Sequence, residues 1–247
     1  MKRLSWQVRL GILLVLASAA LYVVHYAVFR DAHGIFFYLL DDVAFVPIQV
    51  LLVTLIIAQL LGEREKRGRL EKLSMVIGAF FSVVGTRLLT YVSDFDPNLA
   101  TIRSELVVRQ NWTDREFAAL SGRLKGYNYS VDINKIGLEH LRDLLTSNRD
   151  FMVRLLENPT LLEHATFTSL LRAVFHVTEE LESRPNFTTL PETDFAHLAQ
   201  DIKRGYGLLV SEWVDYMQHL KNNYPYLFSL AMRTNPFDQE ASPIVRK

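Results

Sequence analysis

The sequence contains no cysteine among its 247 residues, which excludes disulfide bridges, thiolate zinc sites, iron–sulfur clusters and a cysteine nucleophile. It also has no net charge, with 27 Lys and Arg against 27 Asp and Glu. A strongly basic nucleic-acid surface or an acidic solvating tail would leave an imbalance, so no nucleic-acid partner is expected. No Gly-rich phosphate loop, Walker sequence, His-Glu-x-x-His helix, EF-hand loop or nucleophile elbow occurs. Neither a catalytic constellation nor a cofactor is expected.

Hydrophobic residues, by contrast, make up 49% of the chain and charged ones only 22%, and the mean hydropathy is +0.10. These values point to concentrated apolar segments. The neutrality is a cancellation: residues 1–93 carry 10 basic and 6 acidic side chains, the remainder 17 and 21.

Residues 10–29 form a run without a formal charge, long enough at about 1.5 Å per residue to cross a hydrocarbon core of roughly 30 Å. A cleaved signal peptide competes, since Lys2, Arg3 and Arg9 precede the run. The run is long for that role, however, and Ala27-Val28-Phe29 ends in a bulky ring rather than a small residue. Residues 43–61 form a second uncharged run, with Pro47 near its start. Gln49, Thr54 and Gln59 within it are the candidate pore-facing residues, or bonds to a neighbouring helix.

Lys and Arg are dense before the first run and after the second (Arg64, Lys66, Arg67, Arg69 and Lys72), whereas residues 30–42 between them carry only Arg30. The asymmetry puts both termini in the cytoplasm of a multi-pass protein of the inner (plasma) membrane, with the lipid bilayer as its first partner. The connection, with Phe36, Phe37 and Tyr38 at the outer boundary, reads as a solvated hairpin tip.

A third apolar stretch, residues 73–86, has fourteen residues before Arg87. That is short for a span and suits a buried or interfacial helix, although entry of 73–92 into the membrane stays open. Ser74, Gly78, Ser82 and Gly85 recur at spacings that place small residues on one face, where a copy of the chain or the cytosolic bundle could approach closely.

Beyond Asp94-Phe95-Asp96-Pro97-Asn98, a helix stop, the pattern is helical. Expected helices open at the Thr113-Asp114-Arg115-Glu116 capping box and occupy 136–146, 149–157, 161–181 with an irregularity near His164, and 194–224. The last carries a seam of Phe195, Leu198, Ile202, Tyr206, Leu209, Trp213, Tyr216 and Leu220. It is buried either in the bundle or, with Leu209, Trp213 and Tyr216 at its centre, in an oligomer interface. Gly205 and Gly207 on that helix suggest close contact or a bend. The apolar segment 224–237 is expected to dock on the bundle.

The metal candidates are Asp194, His197 and Asp201, at i, i+3 and i+7, with His176, Glu179 and Glu180 as a second half. A di-iron bundle needs two carboxylate-x-x-His elements and only one is present, so a solvated charged face is the plainer account and no metal is assigned.

The two-run start with Phe36-Phe37-Tyr38-Leu39-Leu40, the exit Glu63-Arg64-Glu65-Lys66-Arg67 and the tail Tyr224-Pro225-Tyr226-Leu227-Phe228-Ser229-Leu230-Ala231 together resemble a group of bacterial and archaeal integral membrane proteins without an assigned function. The resemblance covers most of the chain and implies no catalytic residues.

The expected architecture is all-α: a transmembrane hairpin (1–62), a juxtamembrane helix (63–93), a cytosolic helical bundle (94–237) and a flexible tail (238–247). The expected function is a self-associating or protein-binding scaffold or signalling module. A channel or transporter subunit and, more remotely, a metal-dependent enzyme are the alternatives.

Overall fold

The computed structural model describes residues 6–162 and 164–245, all-α with no strand among them. The chain divides into two compact units, 1–66 and 67–247. Lys2 and Arg3 of the basic arm, the end of the tail, and the side chains of Arg64, Lys66, Arg67 and Arg69 lie outside the described residues.

In the first unit, α1 (Trp6–Phe29) is followed closely by α2 (Ala32–Phe80). The reversal needs only two residues. Arg30 takes a left-handed backbone with φ 50° while its N–H still bonds Tyr26 O at 2.9 Å. Asp31 Oδ1 then accepts the Gly34 N–H at 3.0 Å, as an N-cap does. This corrects the thirteen-residue hairpin tip: with a cap at Asp31 and no helix breaker before Pro47, residues 32–42 are helical. Pro47 accordingly lies inside α2, about four turns from its start, rather than at a helix beginning.

The described side chains from Arg9 to Phe29 and from Phe36 to Glu63 are exposed throughout. The two helices therefore form no buried core among their described residues. Both Arg9–Phe29 and Ala32–Glu63 are long and apolar enough to cross a membrane.

The second unit includes the C-terminal part of α2, whose Leu73, Ile77 and Phe80 are buried. It continues into a π-helical turn, Phe81–Gly85, where the Thr86 N–H bonds Phe81 O, and then into α3 (Thr86–Ser93). Glu71–Ser93 also has the length and hydropathy of a span, yet Phe80, Phe81, Val84 and Leu89 are fully buried in the bundle. Their apolar surface is covered by protein.

After a 3₁₀ turn at Leu99–Thr101 come α4 (Arg103–Leu106), α5 (Asp114–Lys125), α6 (Leu138–Thr146), α7 (Arg149–Leu156), α8 (Pro159–Leu162), α9 (Ala165–Glu182), α10 (Glu192–Asn223) and α11 (Pro225–Arg233). The Thr113/Glu116 capping box opens α5 as expected. The irregularity near His164 is a helix start, with His164 Nδ1 accepting the Phe167 N–H at 3.2 Å. The single helix expected over 161–181 is thereby split into α8 and α9.

α10 is the central helix, packed against α9, α11, α5 and α3. Leu198, Ile202, Tyr206, Leu209, Trp213 and Leu220 of the expected seam are buried, and a second stripe, Val210, Val214 and Met217, is buried as well. A helix apolar on two sides belongs inside a bundle. Phe228 and Phe237 dock on this core, Phe237 edge-on to Trp213 at 5.2 Å, while the buried Asn235 Nδ2 bonds Leu106 O at 2.9 Å.

Candidate functional site

Ser74, Gly78 and Ser82 line one wall of an open groove of about 740 Å³, with Trp213 and Tyr216 of α10 and Leu227 and Leu230 of α11 opposite. Tyr216 stacks on Phe81, with ring centroids 5.0 Å apart. Tyr226, Leu227, Leu230 and Met75 around the groove are exposed. His219 also lines it; burial pushes its imidazole toward the neutral form.

Gly85 departs from the strip. The π turn changes the angular advance along the helix, and Gly85 is turned into the core, where an added Cβ would come within 2.7 Å of the Phe80 and Phe81 rings. The expected four-residue face therefore ends at Ser82.

Leu209 is spent on the bundle interior, Trp213 is buried there while bordering the groove, and Tyr216 is half-buried at the groove. Gln49, Thr54 and Gln59 are exposed on α2, and Gln59 Nε2 reaches Glu63 Oε1 at 3.5 Å. At about 100° per residue Thr54 sits roughly 140° from each glutamine while Gln49 and Gln59 are roughly 80° apart, so the three do not share one face.

A second constellation lies between α9 and α10. His176 and Glu180, four residues apart on α9, meet His197 and Asp201, four apart on α10. His176 Nε2 lies 3.4 Å and His197 Nε2 3.3 Å from Asp201 Oδ2. From Glu180 oxygens the two nitrogens lie 3.8 and 3.5 Å away. His197 and Asp201 of the expected triad are thus brought together, with His176 and Glu180 of the expected second half.

Asp194 is not part of the cluster. It is clamped by Arg184, whose Nε and Nη2 donate to Asp194 at 2.6 and 2.7 Å while Nη1 donates to Glu180 Oε2 at 2.7 Å. The guanidinium holds both carboxylates below their ordinary ranges. Glu179 points outward and is exposed.

Two features escaped sequence reasoning: the burial of Asp201, and the role of Arg184, which sits in the loop after α9. The repeated His-x-x-x-carboxylate spacing was the available signal, on two helices that a short loop makes neighbours.

The chain is therefore an all-α protein with two long apolar N-terminal helices, apolar enough for membrane association, and a C-terminal helical domain. Residues 2–61 match the family model described as "MJ1433, N-terminal helical domain", and residues 69–233 match "Uncharacterized protein MJ1433, C-terminal helical domain". The chain belongs to this MJ1433 family. It is 45% identical over 232 residues to "Uncharacterized protein MJ1433" of Methanocaldococcus jannaschii, covering 94% of this chain and 93% of that protein. No solved structure matches the chain.

Proposed function

We propose that the protein is a two-pass integral membrane protein of the cell's inner (plasma) membrane. In this reading its C-terminal helical domain is a cytoplasmic interaction module that self-associates. The observation that carries the membrane reading is that every described side chain of two apolar helical stretches, 9–29 and 36–63, is exposed. Exposed apolar surface on that scale is not tolerated in water, and a bilayer is the solvent that accepts it without requiring the helices to cover each other. Residues 73–92 bury one face in the bundle core, which supports two crossings rather than three.

The module reading rests on the groove. Ser74, Gly78 and Ser82 provide a low wall and Tyr226, Leu227 and Leu230 an apolar rim, a surface suited to an apolar helical edge of a second copy. The position of Thr54, roughly 140° around α2 from both Gln49 and Gln59, speaks against a pore lined by all three.

Alkaline carbonate extraction of expressing cells tests the anchor. The protein is expected to stay in the membrane pellet, and quantitative release into the supernatant would overturn the reading.

A further inference from the structure

We propose that His176, Glu180 and Asp201 form a mononuclear binding site for a divalent transition metal of zinc type, with His197 beside them as the fourth ligand that closes on the ion. Asp201 is almost completely buried, with 5% of its side chain exposed, and its Oδ2 has no hydrogen-bond partner. That atom faces both imidazole Nε2 atoms. A buried carboxylate oxygen left in this condition lacks the compensation such groups normally have, and a cation supplies it.

The spacing agrees. Imidazole nitrogens and carboxylate oxygens bind zinc at about 2.0–2.2 Å in a tetrahedron, which puts neighbouring ligand atoms roughly 3.3–3.5 Å apart. Asp201 Oδ2 stands 3.3 and 3.4 Å from the two imidazole nitrogens, close to that separation, whereas His197 and His176 face different oxygens of Glu180, Oε2 at 3.5 Å and Oε1 at 3.8 Å; one ligand atom each from His176, Glu180 and Asp201 lie within 4.8 Å of one another. Charge-assisted hydrogen bonds are shorter, about 2.7–2.9 Å. Two carboxylates also neutralise a divalent ion held by neutral imidazoles, and mixed nitrogen and oxygen ligands without thiolate suit zinc or cobalt.

The surroundings meet the other requirements of a metal site. Arg184, anchored by Asp194, fixes Glu180 at 2.7 Å, and Arg204 Nη1 stands 3.5 Å from Asp201 Oδ1, so the carboxylates are oriented from behind. His176 and Asp201 also line a cleft with Ser169, Arg172 and Arg204, which gives an entry path. Each helix contributes one His and one carboxylate, so the ion would pin α9 to α10.

The test uses full-length, detergent-purified protein stripped with chelator and titrated calorimetrically with Zn²⁺, with Co²⁺ absorption as a second readout. One equivalent of Zn²⁺ is expected to bind, and the Co²⁺ form should show the intense visible bands of tetrahedral coordination. His197→Ala and Asp201→Asn are each expected to weaken binding by about 100-fold or more, whereas the exposed Glu179→Gln should leave it unchanged. Circular dichroism checks that the variants keep their helices, which the half-exposed His197 side chain favours. No binding by the wild-type protein, or equal binding by wild type and by both ligand variants, would overturn the site. Octahedral cobalt spectra would overturn its tetrahedral geometry.

Discussion

Tyr216 lies over Gly78, so that a Cβ added at Gly78 would come within 3.4 Å of the Tyr216 hydroxyl. The contact joins the small-residue wall to the central helix and fixes the floor of the groove. Because the chain has no cysteine, a Met75→Cys variant carries a single thiol at the exposed rim. Bis-maleimide treatment of membranes is expected to give a crosslinked dimer. Adding Leu230→Asp, at an exposed position, should remove that dimer without loss of helicity. A monomer alone from the first variant would dispose of self-association through the groove.

The two central glycines of α10 should respond differently. Gly205 has no atom within 4 Å of an added Cβ and borders a small apolar void with Leu88, Val174 and Leu209. Gly205→Ala is expected to stabilise by about 1 kcal/mol through helix propensity. At Gly207 a Cβ would meet Tyr129 Cδ2 at 3.2 Å, so Gly207→Ala should gain less or lose stability. Thermal or denaturant unfolding decides, and equal gains would contradict the packing described.

Gly85→Ala should be costly, by about 1–3 kcal/mol for overpacking, because the new methyl group would stand against the Phe80 and Phe81 rings. A neutral result in the same unfolding experiment would show that the π turn yields easily.

Glu212 is buried, and desolvation raises its carboxyl above the ordinary range, with Thr166 and His164 pulling in the other direction. Since the folded state holds the proton more tightly, the group's stabilising contribution is present below the unfolded value and is lost as pH rises through the folded one. Glu212→Gln should therefore raise Tm near pH 7, by about 2–4 °C for a gain of roughly 1 kcal/mol. The difference should fade toward pH 4. A constant difference across that range would exclude titration as its cause.

Much of the architecture was legible from spacing. The Thr113 capping box, the α10 seam and the apolar stretches each declare themselves through local chemistry. The tight reversal at Arg30-Asp31 did not, because an Arg in the left-handed region carries no sequence signature and the boundary aromatics suggested a longer tip. The π turn was equally silent, so Gly85 seemed to continue a strip that in fact rotates inward. At the cluster, sequence spacing singled out Asp194, His197 and Asp201 on one helix with His176, Glu179 and Glu180 on another, but only tertiary placement shows Arg184 claiming Asp194 and Glu179 facing outward. Long-range ion pairing has no period to read.

The membrane topology is tested most directly by single-cysteine labelling in the cysteine-free chain. His33→Cys sits beyond the α1–α2 reversal and Glu240→Cys in the C-terminal tail, both at exposed positions. An impermeant maleimide added to intact cells or spheroplasts is expected to label His33→Cys at once, and Glu240→Cys only after the membrane is permeabilised. Labelling of both in intact cells, or of neither until permeabilisation, would contradict a two-pass anchor carrying a cytoplasmic helical domain.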